Sequence, residues 1–134
     1  MLSSSIQIVI TYLVLVAVSA LFVESSKALL VWYLAIGLVT FFVYAKDKRA
    51  AINGNWRVPE KTLHIFSFAG GWLGALIAQD KLRHKTQKQP FRAIYWLTVA
   101  INIAVFIWTL TPSGQAIFGR WVSEIIRFFN DNDG

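Results

Sequence analysis

Long uncharged stretches alternate with short charged blocks along this chain, and the stretches are as long as membrane-spanning helices. Residues 6–23, 28–45 and 93–110 are each 18 residues long and contain no Asp, Glu, Lys or Arg. A helix of that length rises about 27 Å at 1.5 Å per residue, and the hydrocarbon layer of a bilayer is roughly 30 Å thick. The pattern therefore predicts an all-α membrane protein with three transmembrane helices, in which residues 1–134 form one integral membrane domain.

A fourth apolar stretch, residues 62–78, is shorter and is interrupted by glycine. It is 17 residues long and contains Gly70, Gly71 and Gly74 near its centre. In a spanning helix, Gly70 and Gly74 have the G-x-x-x-G spacing at which two helix backbones approach closely. In a re-entrant or broken helix, the Gly-Gly pair lets the chain turn inside the membrane. Both interpretations assign the three glycines to helix packing or to a turn.

The distribution of Lys and Arg favours the re-entrant interpretation, because cytoplasmic loops carry an excess of these residues. If the N-terminus is inside and all four stretches span, seven basic residues face the cytoplasm and six face outward. If the third stretch re-enters, ten face the cytoplasm and only Lys27, Arg120 and Arg127 face outward. The sequence thus favours a multi-pass protein with both basic blocks, residues 46–61 and 81–92, on the cytoplasmic side. The spanning alternative stays open, since glycine pairs are common in spanning helices.

Residues 115–129, after the break at residues 111–114, have the pattern of an amphipathic helix. Apolar side chains recur at helical spacing, and the charged ones fall on the other side. The apolar positions are Phe118, Trp121, Val122, Ile125, Ile126 and Phe129. This stretch is too short to span, so we expect it to lie in the membrane interface with its aromatic face in lipid, or to cover the helix bundle.

The two basic blocks contain the residues best suited to bind an anion. Arg can hold a phosphate through two parallel hydrogen bonds, and Lys acts as a compact point charge. If residues 80–88 are helical, the side chains of His84, Lys85 and Lys88 share one face. The candidate anion-binding residues are Lys48, Arg57, His84, Lys85, Lys88 and Arg92. The alternative is that these cations only fix the topology and attract anionic headgroups.

Few side chains are suited to acid–base or metal chemistry. The candidates for proton transfer are Asp47, Glu60 and His84, since carboxylates and imidazoles are the usual general acids and bases. The chain has no cysteine, and neither a metal-ligand spacing nor a cofactor motif is present. We therefore expect no metal and no cofactor. Nucleic acid is not expected as a partner, because no recognition motif accompanies the positive charge.

Short motifs between Tyr44 and Trp96 resemble those of a family of small bacterial membrane proteins classed as a domain of unknown function. The motifs are Asp47-Lys48-Arg49-Ala50, Trp56-Arg57-Val58-Pro59-Glu60, Leu63-His64, Gly70-Gly71-Trp72-Leu73-Gly74-Ala75 and the stretch His84 to Arg92. The family-like core is thus residues 44–96. The resemblance implies the bacterial inner membrane and little about activity. Some relatives carry a cold-shock domain, which this chain lacks, so nothing about nucleic acid follows.

These features predict a non-enzymatic protein of the inner membrane. Its basic cytoplasmic rim would bind phosphate-bearing lipid, especially anionic lipid, or would contact a membrane protein as an accessory subunit or a second copy of the chain. The alternative is a membrane enzyme that acts on a phospholipid or a polyprenyl phosphate.

Overall fold

The computed structural model describes residues 3–81 and 89–133, and these residues form helices and turns without a β-strand. In chain order the elements are α1 (Ser4–Ala20), α2 (Ser25–Asn53), α3 (Glu60–Phe66), a π-helical turn (Ser67–Gly71), α4 (Trp72–Lys81), α5 (Gln89–Thr109) and α6 (Pro112–Asp133). The prediction of an all-α fold is confirmed.

Within residues 3–81 and 89–133, two helices are long and apolar enough to cross a membrane. They are Ser25–Asn53 and Phe91–Thr109, and only 22% and 28% of their most apolar windows are buried inside the protein. The remaining side chains of these windows face outward, and many of them are large and apolar. Large exposed apolar surfaces mark contacts with a membrane or with another protein. Helix α1 is also apolar but has 17 residues.

Helix α2 continues past the uncharged stretch and includes the start of the first basic block. It runs through Lys46, Asp47, Lys48 and Arg49 to Asn53. Lys, Arg and Ala favour helix, so the end of the apolar stretch does not end the helix. Gly54 stops it by taking a left-handed conformation, with φ of 71°, which glycine adopts without a side-chain penalty.

The glycine-containing stretch forms two short helices that meet at a sharp turn. Gly70 has φ of 115° and ψ of −3° and breaks the helical path between α3 and α4. Contacts with α2 trace the path of the chain: Val58, before α3, donates to Asp47, Ala69 in the turn accepts from Trp32, and Gly74 of α4 lies against Gly37. The contacted position on α2 thus moves from residue 47 to residue 32 and then back to residue 37. The chain therefore turns back at Gly70, and α3 and α4 form a helical hairpin.

The backbone carbonyls exposed by this turn receive hydrogen bonds from two neighbouring helices. The indole N–H of Trp32 in α2 donates to the carbonyl of Ala69 at 2.6 Å. The side-chain amide of Asn102 in α5 donates to the carbonyl of Phe68 at 3.2 Å, and also to that of Thr98 at 2.8 Å. Broken helices within apolar surroundings need such partners, because unpaired backbone groups are costly there.

The returning helix α4 packs tightly against α2 through glycine. A β-carbon at Gly74 would overlap the backbone carbonyl of Gly37, and one at Gly71 would overlap the hydroxyl of Thr40. Both positions are buried. The absence of side chains at positions 71 and 74 therefore sets the distance between the hairpin and α2.

Candidate functional site

A buried carboxylate joins the end of α2 to the start of α3. Asp47 is fully buried, and its Oδ2 accepts a hydrogen bond from Nη2 of Arg57 at 3.0 Å. Its Oδ1 accepts from Nε of Arg57 at 3.3 Å and from the backbone N–H of Val58 at 2.9 Å. These bonds hold the segment before Pro59 against α2 and set where α3 begins. We call this arrangement the Asp47–Arg57 clasp.

The clasp changes the part that two predicted site residues can play. Arg57 directs both Nε and Nη2 toward Asp47, so its anion partner is a side chain of the protein itself. Its side chain is 42% exposed, so the guanidinium group is partly hydrated as well as paired with Asp47. Asp47, predicted as a proton-transfer group, has both oxygens engaged in hydrogen bonds.

A groove lies between α3 and α5, beside the clasp. It has a volume of about 510 Å³ and is lined by Glu60, Lys61, His64, Ile65, Phe68, Phe91, Ile94 and Thr98. The polar residues from α3 lie in its first turns, and the apolar ones continue along the helix. The groove thus has a charged mouth, formed by Glu60 and Lys61, and a mainly apolar interior that begins at His64.

His64 sits where the mouth meets the apolar interior. Its ring lies on that of Phe91, with centroids 4.4 Å apart and planes tilted by 37°. Burial lowers the pKa of His64 below its usual value, and the negative charge of nearby Glu60 offsets only part of this effect. The imidazole is therefore neutral near pH 7, and its Nδ1 is buried with no hydrogen-bond partner among the described residues.

The remaining predicted site residues fall in three places. Lys48 is half-buried on α2, and Arg92 is exposed in the first turn of α5, next to Phe91 in the groove wall. His84, Lys85 and Lys88 lie outside the described residues. In residues 3–81 and 89–133, no group of three or more His, Cys, Asp or Glu side chains is placed to hold a metal ion.

Sequence reasoning missed the residues that shape this region from other helices. Asn102 lies within an uncharged stretch, and a polar amide there was a usable signal, because polar groups in apolar spans need partners. Trp32 and Gly37 gave no comparable signal, since tryptophan and glycine are both common in membrane helices.

Comparison with known proteins places these features in one family. The family model described as "Protein of unknown function (DUF1294)" matches residues 37–91, which include the clasp, the hairpin and the groove mouth. The uncharacterized protein YsdA of Bacillus subtilis (strain 168) is 32% identical over 74 residues, or 53% of this chain and 83% of that protein. No solved structure matches. The resemblance seen in the motifs is confirmed, and the chain belongs to the DUF1294 family.

Proposed function

We propose that this protein is a non-enzymatic, multi-pass protein of the bacterial inner membrane that binds a phosphate-bearing lipid in the groove between α3 and α5. The observation that carries the proposal is the form of this groove, which is apolar along its length and charged at one end. A lipid has the same division between its chain and its headgroup. Ligand sites of this kind are largely apolar, with a few polar groups that fix orientation.

The proposed membrane arrangement has three crossing helices and one re-entrant hairpin. Helices α1, α2 and α5 cross, and the α3–α4 hairpin enters from the cytoplasmic side and returns to it. The turn at Gly70 and the contact of Gly74 with Gly37 support this arrangement. The positive-inside rule supports it as well, because both basic blocks then share the cytoplasmic face.

In this arrangement the groove mouth lies at the cytoplasmic interface, where headgroups are found. Lys61 lines the mouth, and an ammonium there attracts a phosphate as a point charge. Arg92, exposed beside Phe91, adds positive charge at the same end of α5. The apolar interior continues from this end between Ile65, Phe68 and Ile94, where one lipid chain would lie.

The clasp supports a binding role over an enzymatic one. Asp47 is the fully buried carboxylate among the predicted proton-transfer groups, and its oxygens accept hydrogen bonds from Arg57 and Val58. A carboxylate held in this way positions α3 and is not presented to a ligand. The predicted role as an accessory subunit is compatible with a lipid-binding groove, and it does not change which residues would contact the lipid.

The proposal is tested by filling the groove and measuring the lipid that remains bound. The protein is purified in a mild detergent, and its phospholipids are quantified by mass spectrometry. Ile94→Trp should lower the bound lipid several-fold, because the indole occupies the groove interior. Leu97→Trp is the matched control, since Leu97 lies on the same helix, is 60% exposed and does not line the groove. Equal lipid content in the two variants would refute the proposal.

A second pair of variants tests the charged mouth. Lys61→Gln should weaken binding of phosphate-bearing lipid by about tenfold, since a hydrogen bond to a charged group contributes about 1.5 to 3 kcal/mol. Lys46→Gln removes an equal charge from an exposed site on α2 that is not in the groove wall. If both variants lose affinity equally and salt abolishes both losses, the mouth is only a diffuse positive surface.

A further inference from the structure

A second, smaller cleft lies on the other side of the hairpin turn. Its volume is about 220 Å³, and it is lined by Leu29, Trp32, Tyr33, Phe68, Ala69, Gly70, Ile101, Asn102 and Val105. Trp32 and Asn102 in its wall are the side chains that bond to the carbonyls of the turn. The rest of the lining is apolar except for the hydroxyl of Tyr33. We call it the outer cleft, because it lies beyond the hairpin turn when viewed from the groove mouth.

The groove and the outer cleft meet at Phe68, which lines both of them. The residues of α5 that line the groove and those that line the outer cleft also follow one another along one face of the helix. Phe91, Ile94, Thr98, Ile101 and Val105 recur every three or four residues, and this spacing places them in one stripe along the helix. The two cavities are therefore sections of one furrow along α5, separated by the side chain of Phe68. That side chain is 56% exposed and is not enclosed by neighbouring atoms.

The furrow is longer than one leaflet of a bilayer. From Phe91 to Val105, α5 rises about 21 Å, whereas half of the hydrocarbon layer is about 15 Å. The chains of an ordinary diacyl phospholipid end near the midplane. A single chain that continues past the midplane fits the length of the furrow.

We propose that the furrow binds a polyprenyl phosphate, with the phosphate at Lys61 and the isoprenoid chain running past Phe68 into the outer cleft. This inference rests on the proposed lipid-binding function and names the class of lipid. The phosphate meets the charged mouth, and the branched, unsaturated chain packs against Phe68, Phe91 and Ile94. A chain that occupies only the groove would leave the outer cleft unfilled, so chain length determines affinity.

Binding of three defined lipids distinguishes the possibilities. The probes are undecaprenyl phosphate, farnesyl phosphate and phosphatidylglycerol, each titrated against the full-length protein in nanodiscs and quantified by native mass spectrometry. The wild-type protein should bind undecaprenyl phosphate about tenfold or more tightly than the other two. Equal affinity for the long and short isoprenoids, or tighter binding of phosphatidylglycerol, would overturn the inference and leave the groove as a general phospholipid site.

Variants of the outer cleft separate this inference from the proposed function. Val105→Trp, which fills the outer cleft, should abolish the preference for undecaprenyl phosphate while leaving farnesyl phosphate binding unchanged. Ile107→Trp is the control, because Ile107 is 57% exposed on the same helix and lines neither cavity. Ile94→Trp should weaken binding of both isoprenoids. If Val105→Trp and Ile107→Trp behave alike, the outer cleft is not part of the site. If Ile94→Trp also has no effect, the proposed lipid-binding function fails with it.

Discussion

Gly74 of α4 lies directly against the backbone of Gly37 in α2, and the contact is unequal for the two residues. A β-carbon on Gly74 would overlap the carbonyl group of Gly37, whereas a β-carbon on Gly37 would lie 3.6 Å from the backbone nitrogen of Gly74, an ordinary contact distance. The returning arm of the hairpin is therefore held against α2 at a point where only one of the two glycines is sterically required.

We expect Gly74→Ala to destabilise the protein by about 1 to 3 kcal/mol, the usual cost of forcing extra volume into a packed interface. Gly37→Ala is the matched control and should be neutral or slightly stabilising, because alanine favours helix over glycine by about 1 kcal/mol. Thermal unfolding in detergent measures both. Equal losses would contradict this unequal contact, and no loss in either variant would mean that the two backbones are not in contact at this point.

The Asp47–Arg57 clasp should contribute more to stability than its neighbouring charges. Asp47→Ala removes the acceptor of three hydrogen bonds and leaves the N–H of Val58 without its partner, so we expect a loss of about 2 to 3 kcal/mol. Lys46→Ala, on the exposed side of α2, should change stability by less than about 0.5 kcal/mol. Chemical denaturation of both variants compares them, and a small effect of Asp47→Ala would show that the clasp does not fix α3.

The amide of Asn102 should stabilise the hairpin turn specifically. Asn102→Leu leaves the carbonyl of Phe68 without its side-chain donor, at an expected cost of about 1 to 3 kcal/mol. Thr98→Val is the control, because the hydroxyl of Thr98 donates within its own helix, to the carbonyl of Tyr95 at 2.6 Å. Hydrogen exchange of the amides at residues 67–72 should increase in Asn102→Leu and not in Thr98→Val. Unchanged exchange in both variants would contradict this role.

The sequence predicted the helices whose boundaries depend on local composition, and it missed contacts that depend on distant residues. Uncharged stretches located α2 and α5, because hydrophobic length is a local property, but they did not indicate that α2 continues through the first basic block to Asn53. The glycines of residues 70–74 indicated a turn or a close crossing without distinguishing them. Their partners Gly37 and Thr40 lie more than thirty residues away along the chain, and nothing in a single sequence indicates that these residues are in contact.

The candidate site was predicted only in part, because its geometry also depends on contacts between residues that are distant in the sequence. Charge placed Glu60, Arg57 and Arg92 in the basic blocks, but the sequence did not show that Arg57 pairs with Asp47. Phe91 was assigned to the second basic block, and Ile94 only to the start of an apolar helix. Their role as a groove wall depends on how α5 packs against α3, which is a tertiary property.

The return of the chain at Gly70 is the feature on which the proposed topology and the position of the groove mouth depend, and the accessibility of Asp80 tests it directly. The chain has no cysteine, so Asn53→Cys, Asp80→Cys and Asn132→Cys each introduce a single thiol at an exposed position. A membrane-impermeant maleimide is added to intact spheroplasts and, separately, to permeabilised ones. We predict that the thiol at position 132 is labelled in both, whereas those at positions 53 and 80 are labelled only after permeabilisation. Labelling of position 80 but not position 53 in intact spheroplasts would contradict the re-entrant hairpin and make residues 60–81 a membrane-spanning segment.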